Sequence, residues 1–266
     1  MRAKRFKSIL AALLVYGVMA QPASEAARRS ASPLPAPLPW DLVWADNFTG
    51  PHVDAKKWNI AGPAEVNYDG GVNSYDVRNV YIEDHQLVIR SQPLSAPNAR
   101  GETAYSSGRV TTKQKFGFLY GKVEIRAKLP GTQGLWPALW MLPHDKSWPP
   151  ELDIMELLGD NPSRVYLTAH WGTRQRDEHD QTAFSGPDFT QDYHVFGIEW
   201  DPKQVIWVVD GVQQKVMTHD VPNRAMYLIL NTSVGGDWPG MPDGTTVFPA
   251  FMRVDYVKVY QHPRHR

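Results

Sequence analysis

Apolar and polar residues alternate in short stretches from Trp40 onwards. The clearest stretch is GKVEIRAKL at 121–129, where alternation places apolar side chains on one face of a strand and charged side chains on the other. Residues 205–216 contain two strand-like runs separated by Asp210-Gly211, a dipeptide typical of two-residue hairpin turns. Similar strand-like runs occupy 79–91, 165–171, 194–200, 226–234 and 253–261.

Helical periodicity is weak along the same stretch. No amphipathic helical pattern extends beyond two turns, and the strand-like runs are separated by Gly, Pro and Asp residues. Many short strands with such breaks are typical of an antiparallel sandwich. The sequence therefore predicts an all-β fold, with one β-sandwich domain over residues 40–261 and a short basic tail at 262–266.

The first 39 residues have a different composition. Residues 1–20 combine a basic start, MRAKRFK, with the apolar run SILAALLVYGVMA, which is too short to cross a bilayer. This arrangement predicts a secretory signal peptide and a soluble mature protein outside the cytoplasm, extracellular or periplasmic; an uncleaved membrane anchor is the alternative. Residues 21–39 contain five prolines and little that could pack, which indicates an extended linker.

Composition and charge narrow the classes of function. The chain has no cysteine, so disulfides and thiolate chemistry are excluded. Removal of residues 1–20 takes four of the 28 basic residues and no acidic residue, which leaves 24 basic against 28 acidic residues. A slightly acidic protein is a poor match for nucleic acid or another anionic polymer. Ten tryptophans and eleven tyrosines could form platforms on which sugar rings stack.

The segment PPELDIMELLGDNP places three acidic side chains, Glu151, Asp153 and Glu156, among apolar residues. Its flanking prolines disfavour a long helix, and a helix would also separate positions i and i+5 by about 140° around its axis. A regular strand would turn Glu156 to the face opposite the other two acids. A β-bulge at positions 154–155 would bring all three acids to one face, with the leucines and one bulge residue toward the core.

Two glutamates on one face, with an aspartate between them, are suited to handling protons. Crowded carboxylates do not all ionise easily, so their pKa values separate. One can then act as an ionised nucleophile and another as a protonated acid, as in retaining glycoside hydrolysis, where the pair lies about 5–5.5 Å apart. Spacing alone leaves two alternatives open: a calcium cluster, or the solvated face of an exposed strand.

Several motifs in a fixed order resemble glycoside hydrolase family 16. They are WPPELDIMELLGDNP, SGRVTTKQKFGFLYGKVEIRAKLPGTQGLWPALWMLP, FGIEWDP, ILNTSVGGDWPG and RVDYVKVYQ, and the likeness extends from about Trp40 to Gln261. The bulged E-x-D-x-x-E form is similar to the laminarinase, or endo-1,3-β-glucanase, branch. The resemblance implies a jelly-roll β-sandwich with a concave substrate cleft and retaining chemistry without a cofactor.

The resemblance also implies a role for each acid. Glu151 matches the nucleophile, Glu156 the general acid/base, and Asp153 a residue that hydrogen-bonds the nucleophile and tunes its charge. Many members hold a structural calcium, and Asp255 is the ligand of that site that can be matched here. The stretch AEVNYDGGVNSYDVRNV departs from the family pattern, which affects the far glycone side of the cleft.

Aromatic residues near the acids are candidates for contact with sugar rings. Trp136 and Trp140 are four positions apart in GLWPALWML, so both would face the cleft on a strand, although core packing is the alternative for one of them. Trp238 and Asn231, in LNTSVGGDW, are expected to line the rim of the cleft. For Trp238 the alternative is packing within its own loop.

Polar candidates complete the expected binding site. Arg109, in SSGRVTTK, could donate hydrogen bonds to sugar hydroxyls, and a surface salt bridge is the alternative. His170 and Trp171, in TAHWG, are expected at the cleft, with the imidazole on the side of the acid/base. A histidine with a purely structural role is the alternative for His170.

The sequence thus predicts a secreted, monomeric endo-β-1,3-glucanase whose partner is a neutral β-glucan. A transglycosylase would share every catalytic residue and differ only in whether water or a sugar attacks the intermediate. An agarase-like galactan hydrolase and a non-catalytic β-glucan-binding protein are further alternatives on the same scaffold. The presence of both glutamates argues against the non-catalytic protein.

Overall fold

The computed structural model describes residues 40–63, 71–97, 101 and 103–263. The predicted signal peptide and linker lie outside these residues, as does most of the predicted tail. Within the described residues no helix is long and apolar enough to cross a membrane.

Two β-sheets make up the described part of the chain. The ten-stranded sheet has the order β15-β14-β13-β8-β17-β5-β6-β3, with β1 paired to β17 and β4 paired to β5. Its strands are β1 Asp41–Asp46, β3 Asn73–Tyr75, β4 Val80–Glu83, β5 Gln86–Pro93, β6 Tyr105–Ser107, β8 Gly121–Lys128, β13 His194–Trp200, β14 Val205–Val209, β15 Val212–Met217 and β17 Ala250–Gln261. One short 3₁₀ turn, Val77–Asn79, precedes β4.

The seven-stranded sheet carries the acidic segment near its centre. Its order is β12-β11-β10-β9-β16-β7-β2, and every pairing in it is antiparallel. Its strands are β2 Asn59–Ile60, β7 Arg109–Thr111, β9 Leu135–Pro143, β10 Glu151–Leu157, β11 Arg164–Thr173, β12 Arg176–Ser185 and β16 Met226–Val234.

Alternation in the sequence determines which side chains fill the space between the sheets. In β8 every second residue is buried, as the pattern predicts. Apolar residues of both sheets join in one core cluster that includes Ile125 and Val257 from the first sheet and Leu139 and Leu167 from the second. The predicted all-β sandwich is confirmed, and so is the predicted hairpin, in which Asp210 and Gly211 both have positive φ.

The predicted bulge in β10 is also confirmed. Asp153 pairs with Thr168 of β11 and Glu156 pairs with Tyr166, so two residues of β10 lie opposite one residue of β11. Both bulge residues, Ile154 and Met155, belong to the core cluster, whereas the sequence predicted only one of them there.

One strand of the site is absent from the sequence analysis. Strand β12 forms an edge of the seven-stranded sheet and pairs along its whole length with β11. Its sequence, RDEHDQTAFS, is mostly polar, and none of its residues is fully buried. An edge strand of this kind has no apolar face, so the alternation that reveals other strands is missing.

Candidate active site

The three acids of β10 lie on one face of the seven-stranded sheet and line a cleft of about 700 Å³. The bulge produces this arrangement, because it shifts Glu156 back to the face that Glu151 and Asp153 already occupy. Asp153 is only 2% exposed and Glu156 is 8% exposed. Carboxylates this buried need partners, because a buried charge without them is costly.

Indole groups of two tryptophans supply hydrogen bonds to the two glutamates. Trp148 Nε1 donates to Glu151 Oε2 at 2.6 Å, and Trp136 Nε1 donates to Glu156 Oε1 at 3.0 Å. The hydroxyl of Thr168 donates a longer bond, 3.4 Å, to Glu156 Oε2. Each glutamate therefore has a fixed orientation in the cleft.

His170 lies across from Glu151 in the register of β10 and β11. Its Nε2 is 3.5 Å from Asp153 Oδ2, and its Nδ1 is 3.1 Å from Asp177 Oδ2. One ligand-capable atom from each of His170, Glu151 and Asp153 lies within 4.8 Å of the others. The imidazole thus stands beside the first two acids, and the prediction that it lies on the side of Glu156 is wrong.

Burial and crowding shift the ionisation of this group. Burial, followed by repulsion from Asp153, raises the pKa of Glu151 well above its ordinary value. Burial and repulsion from Glu156 raise the pKa of Asp153 to about 6. Burial lowers the pKa of His170, but the nearby carboxyls of Asp153, Glu151 and Asp177 outweigh that effect and raise it to about 10. A cationic imidazole therefore sits against two carboxyls that differ in their affinity for protons.

Comparison with known proteins identifies the scaffold. The profile of the family described as Glycosyl hydrolases family 16 matches residues 68–257. The chain belongs to this family. The resemblance read from the sequence motifs is therefore confirmed.

Relatives and solved structures agree with this membership. Glucan endo-1,3-beta-glucosidase A1 of Niallia circulans is 35% identical across 85% of this chain, and the match covers 39% of that protein. Beta-glucanase of Rhodothermus marinus is 32% identical, with 84% of this chain and 85% of that protein covered. The chain therefore spans about two fifths of the first relative and most of the second.

The fold is similar to that of solved glucanases. The catalytic domain of an endo-1,3-beta-glucanase (laminarinase) from Thermotoga petrophila RKU-1 is 37% identical, covers 85% of this chain and 99% of that chain, and gives a TM-score of 0.76. An endo-beta-1,3-glucanase from Pyrococcus furiosus is 38% identical, covers 84% of this chain and 94% of that chain, and gives a TM-score of 0.74. The expected jelly-roll sandwich is confirmed.

Three of the predicted tryptophans line the cleft of this family 16 domain. Trp136, Trp140 and Trp238 are all among the lining residues, so β9 does present Trp136 and Trp140 to the same side despite Pro137 between them. The ring of Trp238 meets that of Trp136 edge-on, with centroids 5.0 Å apart. Trp136 and Trp238 thus form an aromatic surface beside Glu156, to which Trp136 also donates a hydrogen bond.

Two residues predicted at the cleft lie elsewhere. Trp171 packs against the core cluster and meets His219 edge-on, because consecutive residues of a strand point to opposite faces and His170 takes the cleft face. Asn231 is fully buried beneath the cleft, where its Oδ1 accepts a 2.7 Å bond from Trp140 Nε1. Asn231 therefore holds the orientation of Trp140 rather than lining the rim.

Arg109 also lies below the surface of the cleft. It is 4% exposed, and its guanidinium lies over the ring of Tyr75 at 4.5 Å from the centroid. It is not among the residues that line the cleft. Burial excludes the surface salt bridge considered as an alternative, and direct contact of Arg109 with sugar remains a prediction.

Asp255 has a protein partner on the same sheet. Its Oδ2 accepts a 2.8 Å bond from Arg126 Nη1, and the side chain of Asp255 is 37% exposed. Among the described residues, the groups of His, Asp and Glu that could hold an ion do not include Asp255. The structural calcium therefore stays a prediction.

Several cleft residues were missed by the sequence analysis. Trp148 is the most important, because it donates directly to Glu151. Its position immediately before the Pro-Pro that precedes Glu151 was the available clue. Others belong to loops or to the unpredicted strand β12, for which no pattern indicated a place in the cleft; they include Lys113, Lys146, Arg174, His179 and Gln181. Tyr227 lies on β16, a predicted strand, but its pattern gave no sign that this side chain lines the cleft.

Proposed function

We propose that this protein is a secreted, retaining endo-β-1,3-glucanase that hydrolyses internal bonds of neutral glucans such as laminarin. The observation that carries the proposal is the pair Glu151 and Glu156, which face one cleft from one bulged strand with different partners. In retaining hydrolysis one carboxyl attacks the sugar while the other transfers a proton to and from the departing and entering groups.

In the first step Glu156 donates its proton to the glycosidic oxygen as that bond breaks. Glu151 attacks the anomeric carbon, and any proton that Glu151 holds passes to the neighbouring carboxyl of Asp153. The product of this step is a glycosyl ester on Glu151, with the remainder of the chain released as an alcohol. Cationic His170 favours the ionised forms of Glu151 and Asp153.

In the second step Glu156, now ionised, accepts a proton from water while the water oxygen attacks the anomeric carbon. The ester bond breaks, Glu151 regains its carboxylate together with any proton that Asp153 had accepted, and Glu156 regains its own proton. Two inversions leave the anomeric configuration unchanged. The bond from Trp136 to Glu156 supports the ionised form that this step needs.

The cleft supports a neutral glucan chain as substrate. Trp136, Trp148 and Trp238 offer apolar ring faces on which sugar rings can stack. The related proteins named glucan endo-1,3-beta-glucosidase and laminarinase favour β-1,3 linkages. A related SCLam protein is described as a non-specific endo-beta-1,3(4)-glucanase, and this favours mixed-linkage glucan as a second substrate.

A substrate panel tests the proposal. The purified protein is incubated with laminarin, lichenan, agarose and carrageenan, and the products are sized and followed by proton NMR. Laminarin is expected to give a series of oligosaccharides that appear first as the β-anomer. Products longer than the starting chains would instead indicate a transglycosylase. Cleavage of agarose without cleavage of laminarin would overturn the substrate assignment.

Export and oligomeric state belong to the same proposal. Residues 1–20 are expected to be removed on secretion, and the mature protein is expected to be a monomer. N-terminal sequencing of protein recovered from culture medium or periplasm tests the first expectation. Light scattering on a sizing column tests the second, and a stable dimer would contradict it.

A further inference from the structure

A group of three metal-ligating side chains lies at the edge of the cleft, and it shares His170 with the group that contains Glu151 and Asp153. His170, Asp177 and His179 each place one ligand-capable atom within 4.8 Å of the others. Asp177 Oδ2 is 3.1 Å from His170 Nδ1. The rings of His170 and His179 have centroids 5.6 Å apart. Two ligand atoms bound tetrahedrally to a zinc ion, with bonds of about 2 Å, lie a little over 3 Å apart. Small side-chain rotations would therefore bring these three ligand atoms to the spacing that zinc requires.

Strand geometry explains why these three side chains converge. His170 and His179 are direct partners across the β11–β12 pair. Directly paired residues of antiparallel strands point to the same face. Asp177 is two positions before His179 on β12, so it also points to that face. The backbone of a regular hairpin therefore fixes the spacing of the group.

We propose that His170, Asp177 and His179 form a binding site for a divalent transition ion such as Zn²⁺. Two imidazoles and one carboxylate suit Zn²⁺ and its neighbours, whereas Ca²⁺ prefers oxygen ligands alone. Asp177 and His179 are exposed, so an ion can enter from solvent and keep a water as its fourth ligand. The ion displaces the proton of His170 Nδ1 to solvent.

The same histidine connects this site to the carboxylates. While Nδ1 faces Asp177, Nε2 of His170 lies 3.5 Å from Asp153 Oδ2. A carboxylate that holds the second nitrogen of a ligating histidine fixes the ring and strengthens the ligand. A bound ion would thus change the interaction between His170 and Asp153, and we expect it to inhibit hydrolysis. That inhibition, unlike the binding, rests on the proposed function.

Binding is tested on the untagged protein by titration with Zn²⁺ in a calorimeter. Wild type is expected to bind one ion per chain, and His179→Gln and Asp177→Asn are each expected to weaken binding by about tenfold or more. The control is His219→Gln. His219 forms a similar exposed pair with Asp220, 3.2 Å apart, but among the described residues it belongs to no group of three side chains that could hold an ion. This control should bind as wild type does.

Other outcomes would overturn the proposal. Loss of binding in His219→Gln alone would place the ion elsewhere, and absence of binding below millimolar Zn²⁺ would remove the site. Binding that survives both hairpin variants but is lost in Asp153→Asn would place the ion among Glu151, Asp153 and His170. Laminarin hydrolysis by wild type, measured with and without Zn²⁺, tests the inhibition. If Zn²⁺ binds but rates stay unchanged, only the inhibitory coupling fails.

Discussion

Glu151 and Glu156 receive hydrogen bonds from different parts of the chain. The donor to Glu151, Trp148, comes from the segment just before β10, and the donor to Glu156, Trp136, comes from β9. Glu151 also stands beside a second carboxyl and an imidazole. Burial and Asp153 raise the pKa of Glu151, whereas His170 and the hydrogen bond from Trp148 lower it, so these two partners favour the ionised form that a nucleophile needs.

Removal of either glutamate should nearly abolish turnover. Glu156→Ala is expected to reduce kcat on laminarin by about 100- to 10,000-fold, and Glu151→Ala by at least as much. Azide should partly rescue Glu151→Ala and give a glycosyl azide of inverted configuration. Glu199→Ala, in the other sheet, serves as control and should keep its activity. A folded variant of either glutamate that retains a tenth of wild-type activity would contradict the assignment.

The hydrogen bond from Trp148 should affect the pH profile. It lowers the pKa of Glu151, so its loss in Trp148→Phe leaves that pKa higher still. The acidic limb of kcat/KM against pH should therefore move to higher pH. Trp238→Phe is the matched control, because Trp238 also lines the cleft but contacts rings rather than a glutamate. An acidic limb that does not move in Trp148→Phe would contradict this explanation.

Sequence predicted the type of residue at the site better than its contacts. The acids were placed on the correct face because bulge and alternation are local rules. His170 was placed beside the wrong glutamate, because its neighbours depend on the register between β10 and β11. Trp171 could have been excluded, since adjacent residues of a strand cannot both face the cleft.

At the scale of elements, the bulge of β10 depends on the opposite sheet. Trp207 of β14 donates its Nε1 hydrogen to the carbonyl of Asp153 at 2.8 Å across the buried core. A bulge leaves backbone groups out of the regular ladder, and a buried carbonyl needs a donor. This indole therefore stabilises the feature that aligns the three acids.

Trp207→Phe should reduce both stability and turnover. The buried carbonyl of Asp153 loses its donor, at a cost of about 1–3 kcal/mol in the free energy of unfolding. The control is Trp200→Phe, because buried Trp200 donates a similar 3.0 Å bond to the carbonyl of Pro222. Both variants should unfold at lower denaturant concentration, but only Trp207→Phe should lower kcat. Equal kcat values for the two variants would show that the bond is merely structural.

The elements that sequence reveals are those with one apolar face. Strand β8 and the β14–β15 hairpin follow alternation and turn chemistry, which are readable over a few residues. Strand β12 has no such face, and it was missed although it supplies residues to the cleft. The order of strands in each sheet depends on contacts distant in sequence, which no local pattern contains.

At the scale of the whole molecule, the buried carboxyls oppose folding at neutral pH. The folded state raises the pKa of Glu151 well above its value in an unfolded chain. Between those two values the folded state holds a proton that the unfolded state has lost, so stability falls as pH rises through that range. Packing of the sandwich core therefore has to offset the loss in the free energy of unfolding that these carboxyls cause.

Neutralising Glu151 should therefore stabilise the protein while destroying its activity. Glu151→Gln keeps an oxygen for Trp148 Nε1 but removes one charge from the pair with Asp153. We expect its Tm to exceed that of wild type at pH 7–8. Each kcal/mol gained in the free energy of unfolding raises Tm by about 2–4 °C in a domain of this size. The difference should shrink toward pH 4, where Glu151 is protonated in wild type as well. Calorimetric scans from pH 4 to pH 8 measure it, with Glu178→Gln as control because that side chain is 43% exposed. A Tm difference that does not change with pH, or a lower Tm for Glu151→Gln at pH 7, would contradict the argument.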